Sequence, residues 1–170
     1  AKILAKKLNA FQISTGDMLR DEIKKDTEIG KKIINNMDDG KFVDDIIVNK
    51  LLEKILIDSK KNKLIFDGYP RTINQAKNLE YLLTKSNNKI DYIFFLNVKK
   101  DSIVKRIERR KVLEKRSDDD GDTILKRYDI YIKETKPVLD FYSSHKGFNE
   151  IDGSLEIDEI TSKIGLILNV

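Results

Sequence analysis

Residues 64–71 read LIFDGYPR, a short apolar run that ends in an acid, a glycine, a proline and an arginine. The apolar run predicts a buried strand, and the polar residues after it predict a site at its carboxyl end, where open α/β sheets bind ligands. Asp67 is suited to hold a metal-bound water, Gly68 to let a ligand approach the backbone, and Arg71 to bind phosphate. A strand that ends in an ordinary polar turn is the alternative, and other segments must distinguish the two.

The chain has 170 residues, of which 39% are hydrophobic, and this is enough for one domain with one core. It contains no cysteine and one histidine, His145, which excludes a disulfide framework, a thiolate metal site and a histidine-rich zinc site. No apolar run approaches the roughly 20 residues that span a bilayer. We therefore expect a protein of the reducing cytoplasm with no membrane partner.

Basic residues number 33 and acidic residues 29, which gives a net charge of +4. A basic protein is a candidate for nucleic-acid binding, but charges of both signs at 36% of the chain are typical of a solvated surface. We expect no nucleic-acid partner. Only seven of the basic residues are arginines, and six of these lie in the motifs described below. Arginine binds phosphate through two parallel hydrogen bonds, which lysine cannot reproduce.

Hydrophobic periodicity predicts strands that alternate with helices. Apolar runs predict strands at 11–13, 63–66, 92–98 and 148–151, and the second and third are apolar apart from Lys63 and Asn97, as expected for strands buried on both faces. The alternation predicts an α/β fold, a doubly wound parallel sheet with helical insertions. Helices are predicted at 1–8, from Ser14 or Thr15 onward, at 28–37, 44–57, 72–83, 102–110, 123–142 with Pro137 bending or interrupting it, and at 156–168.

Three segments carry the motifs that indicate a function. They are ISTGDMLR at 13–20, DGYPRTINQA at 67–76, and RSDD at 116–119 followed by Arg127. In these segments, and in their order along essentially the whole chain, the sequence closely resembles the adenylate kinase family. The resemblance implies a P-loop NTPase-like fold. It also implies reversible transfer of the terminal phosphoryl group from Mg-ATP to AMP, giving two ADP, a step in nucleotide biosynthesis.

The resemblance assigns the phosphate contacts to arginines. This fits the reaction, because phosphoryl transfer is catalysed by positioning and by stabilising charge on the phosphate oxygens. The implied roles are the AMP phosphate for Arg20 and Arg71, of which Arg71 is also catalytic, and the transferring group for Arg110, Arg116 and Arg127. Arg116 and Arg127 also contact AMP, and Arg106, Arg110 and Leu155 contact ATP.

Spacing supports the placement of one arginine pair, and ion chemistry supports the role implied for Asp67. Arg106 and Arg110 are four residues apart, which places them on one helix face, although a solvated basic face would show the same spacing. The cofactor implied is Mg2+, and Asp67 would contact it through water, because this ion gives up its hydration shell reluctantly.

For AMP, the resemblance implies a binding arm formed by residues 14–43. Gln75 can both donate and accept hydrogen bonds, as pairing with the adenine amino group and a ring nitrogen requires. The related UMP/CMP kinases usually have a small residue without a hydroxyl at the place of Thr15 and an asparagine at that of Gln75, so both positions favour AMP. The implied AMP contacts, besides the arginines, are Thr15, Lys41, Phe42, Val43, Gly68, Tyr69, Pro70 and Gln75.

The resemblance also implies a single domain over residues 1–170 that acts as a monomer. The spacing of six residues between Arg110 and Arg116 matches the short form of the family's lid, here residues 110–119. Asp118 and Asp119 would orient the arginines and the closing loop. For Asp119, a role as the N-terminal cap of the helix near Thr123 is an open alternative.

One part of the family's pattern does not occur in the 170 residues, the phosphate-binding loop Gly-x-x-x-x-Gly-Lys followed by Ser or Thr. Residues 1–4 resemble the helix just after that loop, so we expect the first strand and the loop to be missing here, with impaired activity as the result. The alternatives are a UMP/CMP kinase and a non-catalytic nucleotide-binding module. Six motif arginines kept in a lysine-rich chain argue against the module.

Overall fold

The structure is a computed structural model that describes residues 1–38, 41–58, 63–98, 103, 126 and 128–170. The predicted lid at 110–119 lies outside these residues, and so does the predicted helix at 102–110, apart from Ile103. Within the described ranges, no helix is both long and apolar enough to cross a bilayer.

Four parallel strands form two pairs in the described part of the chain. β1 (Phe11–Ser14) pairs with β2 (Leu64–Asp67), and β3 (Ile93–Asn97) pairs with β4 (Phe148–Asp152). The register aligns the carboxyl ends, because Ser14 lies opposite Asp67 and Asn97 lies opposite Asp152. The predicted α/β class with parallel strands is confirmed. The strands form two sheets of two rather than one continuous sheet.

The helices begin where short polar side chains satisfy the first backbone amides. The Ser14 hydroxyl accepts a hydrogen bond from Asp17 N at 3.3 Å, and the Thr72 hydroxyl accepts one from Gln75 N at 3.1 Å. The helices in the described residues are α1 (Lys2–Leu8), α2 (Thr15–Lys24), α3 (Glu28–Asp38), α4 (Asp45–Asp58), α5 (Ile73–Lys85), a π-helix (Tyr131–Thr135), α6 (Lys136–Tyr142) and α7 (Ile157–Leu168).

Of the predicted helix at 123–142, the described residues from 128 to 142 are helical without a break, so Pro137 does not interrupt it. The helix instead changes from the π-helix to α6 next to Pro137, which has no backbone N–H to donate to the preceding turn. The periodicity of the sequence gave no sign of the π-helix.

Most of the buried apolar side chains lie in a cluster that joins α2, α3, α4 and α5 to the first pair of strands. Ile33 and Leu52 are fully buried there, and Leu79 is 2% exposed. A second cluster joins α1, β4 and α7 through Leu4, Ile151 and Ile164. A third joins α5 to α6. The core therefore holds the helices around the carboxyl ends of β1 and β2.

A cavity of about 1380 Å³ separates the two pairs of strands. Residues 63–67, which include β2, and residues 91–96, which include most of β3, line it from opposite sides. These strands were predicted to be buried on both faces, but their residues are half-buried or exposed, and Leu96 is 42% exposed. The reason is the cavity, which removes neighbours from the facing edges of β2 and β3.

Candidate active site

The register of β1 and β2 brings the first two sequence motifs together. Because Ser14 lies opposite Asp67, the start of α2 meets the turn that follows β2. Thr15, 5% exposed, donates its hydroxyl hydrogen to the carbonyl oxygen of Gly68 at 2.9 Å, and Asp67 O lies 3.4 Å from the same hydroxyl. The Thr15 hydroxyl, which UMP/CMP kinases usually lack at this place, therefore has a structural role, because it joins the two motifs to each other.

The turn after β2 needs a glycine at position 68. Gly68 has a φ of +73°, a region that side chains rarely adopt, and a Cβ there would lie 2.8 Å from Nη2 of Arg71 and 3.1 Å from Oγ1 of Thr15. In the same turn, the peptide bond between Tyr69 and Pro70 is cis. The glycine therefore lets the guanidinium of Arg71 lie directly against the backbone of the turn.

Arg71 is held from several sides. Its Nε donates to the carbonyl oxygen of Gly68 at 2.8 Å, and its guanidinium carbon lies 5.6 Å from the centre of the Phe42 ring, which is a cation–π contact. Its backbone carbonyl accepts a hydrogen bond from the Thr135 hydroxyl at 3.0 Å. Arg71 is thus fixed by the turn, by the segment before α4 and by the π-helix.

Arg20 lies on α2, one turn after Thr15. Its Nη2 donates to Oδ1 of Asp17 at 2.6 Å, and 30% of its side chain is exposed. The hydrogen bond from this guanidinium holds the pKa of the Asp17 carboxyl below its usual value. An arginine with an exchangeable carboxylate partner can turn to a bound phosphate.

Asp67 presents an exposed carboxylate at the carboxyl end of β2. Oδ2 accepts a hydrogen bond from Nε2 of Gln12 at 2.7 Å, which leaves lone pairs on Oδ1 for a ligand. Among the described residues, no three Asp, Glu or His side chains are grouped as a set of metal ligands. A single carboxylate fits Mg2+, because this ion keeps several waters and is usually held by one or two carboxylates together with substrate phosphates.

Gln75 is 3% exposed, and both ends of its amide are hydrogen-bonded to the protein. Oε1 accepts from the backbone N–H of Arg71 at 2.7 Å, and Nε2 donates to Oδ1 of Asp45 at 2.7 Å. An amide has two hydrogens and two lone pairs, so one of each remains for a ligand.

Tyr69 anchors the turn from inside the core rather than from its surface. Its ring is 6% exposed, its hydroxyl donates to Oδ1 of Asn49 at 2.8 Å, and burial raises its pKa to about 12. The side chain therefore supports the position of its neighbours, Gly68 and Pro70.

The same cavity collects every predicted AMP contact that lies in the described residues. These contacts come from α2, from the segment before α4, and from the turn after β2 with the start of α5. They are Thr15, Arg20, Lys41, Phe42, Val43, Gly68, Tyr69, Pro70, Arg71 and Gln75. The predicted ATP contact Leu155 is half-buried in the turn between β4 and α7 and is not among the lining residues.

The remaining predicted site residues, Arg106, Arg110, Arg116, Asp118, Asp119 and Arg127, lie outside the described residues. In turn, sequence reasoning missed three side chains that touch the site. Thr72 precedes Gln75 by three positions, which is the spacing between a helix N-cap and the N3 residue that bonds to it. This capping pattern could have identified Thr72. Asp45 and Thr135 bond to residues 30 and 64 positions away, and nothing in the sequence indicates these contacts.

Comparison with known proteins gives one consistent family. A family model described as adenylate kinase matches residues 1–147. A protein of Pelagibacter ubique named adenylate kinase is 44% identical over 197 aligned positions that include all of this chain and 92% of the relative. Adenylate kinases of Mycoplasma capricolum and Staphylococcus epidermidis are 36% and 31% identical and cover 96% and 99% of this chain.

Proposed function

This chain belongs to the adenylate kinase family, and from that premise we propose that it transfers the terminal phosphoryl group of Mg-ATP to AMP, reversibly, giving two ADP. The observation that carries the proposal is one cavity in which arginines suited to a phosphate lie beside an amide suited to a purine. Arg20 and Arg71 provide the first, and Gln75 provides the second.

Arg71 would hold the AMP phosphate, with Arg20 as its partner. Arg71 is already oriented by its bond to Gly68 and by the ring of Phe42, so little side-chain entropy is lost when the phosphate binds. Arg20 would exchange the Asp17 carboxylate for the phosphate, and both are anionic partners for the same guanidinium.

The adenine would lie along Phe42 and Val43 and meet the amide of Gln75. The ring of Phe42 is half-buried and Val43 is 5% exposed, which gives the base an apolar wall. The free hydrogen and lone pair of the Gln75 amide match the ring nitrogen and the amino group of adenine.

Catalysis in this reaction consists of positioning and of charge stabilisation. When bound, Mg2+ would neutralise charge on the nucleotide phosphates, and Asp67 is the described carboxylate placed to hold its water shell. Arg110, Arg116 and Arg127 would surround the transferring group and Arg106 and Leu155 would lie near ATP, as the family resemblance implies. We also propose that residues 110–119 form a short lid and residues 14–43 a mobile arm, which together exclude water.

We propose that the cavity between β2 and β3 is the place of the family's first strand and phosphate-binding loop. Support comes from the two facing strand edges, since an unpaired parallel edge offers backbone N–H and C=O groups to another strand. The proposal also includes a cytoplasmic monomer with no nucleic-acid or membrane partner. The mixed surface charge and the absence of cysteine support this part.

Phosphorus NMR tests the proposed reaction directly. With Mg-ATP and AMP as substrates, the natural full-length protein should convert both into ADP, and with ADP alone it should produce ATP and AMP. Release of inorganic phosphate without formation of ADP from AMP would identify a hydrolase and contradict the proposal.

A further inference from the structure

The carboxylate of Asp45, in the first turn of α4, joins α4 to the start of α5. Its Oδ1 accepts a hydrogen bond from Nε2 of Gln75 at 2.7 Å, and its Oδ2 accepts one from the hydroxyl of Thr72 at 2.7 Å. Asp45 is half-buried, and Gln75 is 3% exposed. Asp45 therefore binds the side-chain amide of Gln75, the residue proposed to contact adenine.

The two partners of the Gln75 amide have opposite hydrogen-bonding character. The backbone N–H of Arg71 can only donate, and it meets Oε1. An ionised carboxylate can only accept, and Asp45 meets Nε2. If the amide turned over, its oxygen would face the carboxylate and its NH2 group would face the N–H, so two hydrogen bonds would be replaced by two repulsive contacts.

The direction of this amide determines which base it can pair with. In the observed direction, it offers a ligand one hydrogen from Nε2 and one lone pair from Oε1 at defined places. Adenine presents an amino donor at position 6 and an acceptor at N1. Hypoxanthine presents an oxygen acceptor at position 6 and a donor at N1, so it matches only an amide turned the other way.

We propose that Asp45 is a specificity-determining residue, which fixes the direction of the Gln75 amide and so makes the site accept a 6-aminopurine monophosphate and reject a 6-oxopurine one. The proposal rests on the function proposed above. Asp45 acts through Gln75 and is a positioning residue. Discrimination of this kind relies on the penalty paid by the wrong ligand, whose donors and acceptors would face like groups.

Thr72 adds a second constraint on the same carboxylate. Because its hydroxyl hydrogen points to Asp45, a lone pair of the hydroxyl oxygen is directed to the backbone N–H of Gln75 at 3.1 Å. Asp45 thus holds both the backbone and the side chain of Gln75. In the described residues, no buried side-chain polar atom lacks a hydrogen-bond partner, so each buried polar atom of this network has at least one.

Isothermal titration calorimetry with AMP and with IMP tests the proposal, because the two ligands differ only at the edge in question. The wild-type chain should bind AMP at least about tenfold more tightly than IMP. Asp45→Asn should reduce this ratio by about tenfold, since an asparagine can rotate to donate to a reversed Gln75 amide. The control is Asp44→Asn, which removes an equal charge one residue earlier, where the carboxylate accepts a hydrogen bond from the backbone N–H of Ile46 rather than from Gln75. It should leave the ratio unchanged.

The ratio of the two affinities does not depend on how much of a variant is folded. If Asp45→Asn keeps the wild-type ratio, the proposal is overturned. If the wild type binds AMP and IMP equally well, Gln75 does not distinguish the two bases, and the proposed role of Asp45 is overturned with it. If the wild type binds neither nucleotide, the proposed function itself fails.

NMR of the wild type gives a second test that needs no variant. Nuclear Overhauser contacts should join the Nε2 hydrogens of Gln75 to the β-hydrogens of Asp45. Strong contacts between those Nε2 hydrogens and the backbone amide hydrogen of Arg71 would show a reversed amide. That result would overturn the proposal even if Asp45→Asn did not fold.

Discussion

The carbonyl oxygen of Gly68 accepts two hydrogen bonds, one from the Thr15 hydroxyl and one from Nε of Arg71. One backbone group thus links α2 with the arginine proposed to bind phosphate. The positive φ of Gly68 directs this carbonyl, and the missing side chain leaves room for the guanidinium.

Gly68→Ala should damage both the fold and the site. A Cβ 2.8 Å from Nη2 of Arg71 must displace the guanidinium, and an alanine at positive φ is strained. We expect a loss of about 1–2 kcal/mol in the free energy of unfolding, measured with urea, and at least about tenfold weaker AMP binding. Gly16→Ala is the control, because its Cβ meets only the tip of the flexible Arg20 side chain, and it should not lower stability. Equal effects of the two changes would refute this explanation.

In the natural full-length protein, Arg71→Lys should lower the rate of phosphoryl transfer by at least about a hundredfold while the protein stays folded. Lysine keeps the positive charge but has no planar guanidinium. It therefore cannot bind a phosphate through two hydrogen bonds while it also contacts the Gly68 carbonyl and the Phe42 ring. Steady-state rates and urea unfolding measure the two parts of the prediction. Arg109→Lys, at the one arginine outside the motifs, should leave the rate near that of the wild type. Unchanged kinetics in Arg71→Lys would remove Arg71 from the site.

At the residue scale, the sequence motifs identified side chains that the structure brings to one cavity, although their contacts with nucleotide stay a prediction. Motif residues are found because they lie close together along the chain. The partners that orient them are not. Asp45 and Thr135 act on Gln75 and Arg71 over long separations, and a carboxylate at the start of a helix or a threonine in one has many ordinary explanations.

Glu22 connects two elements, α2 and α3. It is 8% exposed, accepts hydrogen bonds from Nζ of Lys25 at 2.7 Å and from the Thr27 hydroxyl at 3.2 Å, and Thr27 in turn accepts one from Gly30 N. The hydrogen bond from Lys25 holds the pKa of the Glu22 carboxyl below its usual value of 4.5. A carboxyl with a lowered pKa in the folded state stabilises the fold above its unfolded pKa, and this is lost as the pH falls through the folded pKa.

Glu22→Gln should therefore lower stability at neutral pH but not in acid. Urea unfolding of the wild type and of Glu22→Gln between pH 7 and pH 3 should give the largest difference in unfolding free energy at pH 7. The difference should shrink below pH 4.5, where the wild-type carboxyl takes up its proton. Glu28→Gln is the control, since that carboxylate is 85% exposed and should show almost no difference at any pH. A difference that did not change with pH would contradict the assignment.

At the element scale, local chemistry explains which predictions succeeded. Ser14 and Thr72 cap α2 and α5, which begin within one residue of the predicted helix starts, and four apolar runs became four strands with ends shifted by at most one residue. The π-helix at 131–135 was not predicted, because an apolar pattern of α-helical spacing does not report one extra residue in a turn. That turn matters, since it presents Thr135 to the carbonyl of Arg71.

For the whole molecule, two parallel pairs of strands enclose a cavity at the point where both sequence motifs meet. The sequence predicted parallel strands and their helices. It could not predict that β2 and β3 would face each other across open space, because strand pairing depends on contacts between distant segments and no local pattern reports it.

The 170-residue chain should bind AMP but should not sustain normal turnover. The described residues that we propose to bind AMP line one cavity, whereas the Gly-x-x-x-x-Gly-Lys motif, whose backbone amides and lysine hold ATP phosphates in P-loop proteins, does not occur in the 170 residues. Calorimetry with AMP and a coupled assay for ADP measure the two parts. Normal turnover by a polypeptide verified to have these 170 residues would contradict the second part, and a failure to bind AMP would contradict the first.

The most direct test of the central claim is the rate of phosphoryl transfer from Mg-ATP to AMP, CMP and UMP, measured with the natural full-length protein. If Thr15 and Gln75 favour adenine as proposed, the predicted result is rapid transfer to AMP and only slow transfer to either pyrimidine nucleotide. A preference for CMP or UMP would overturn the base assignment, and no transfer to any acceptor would contradict the proposed reaction.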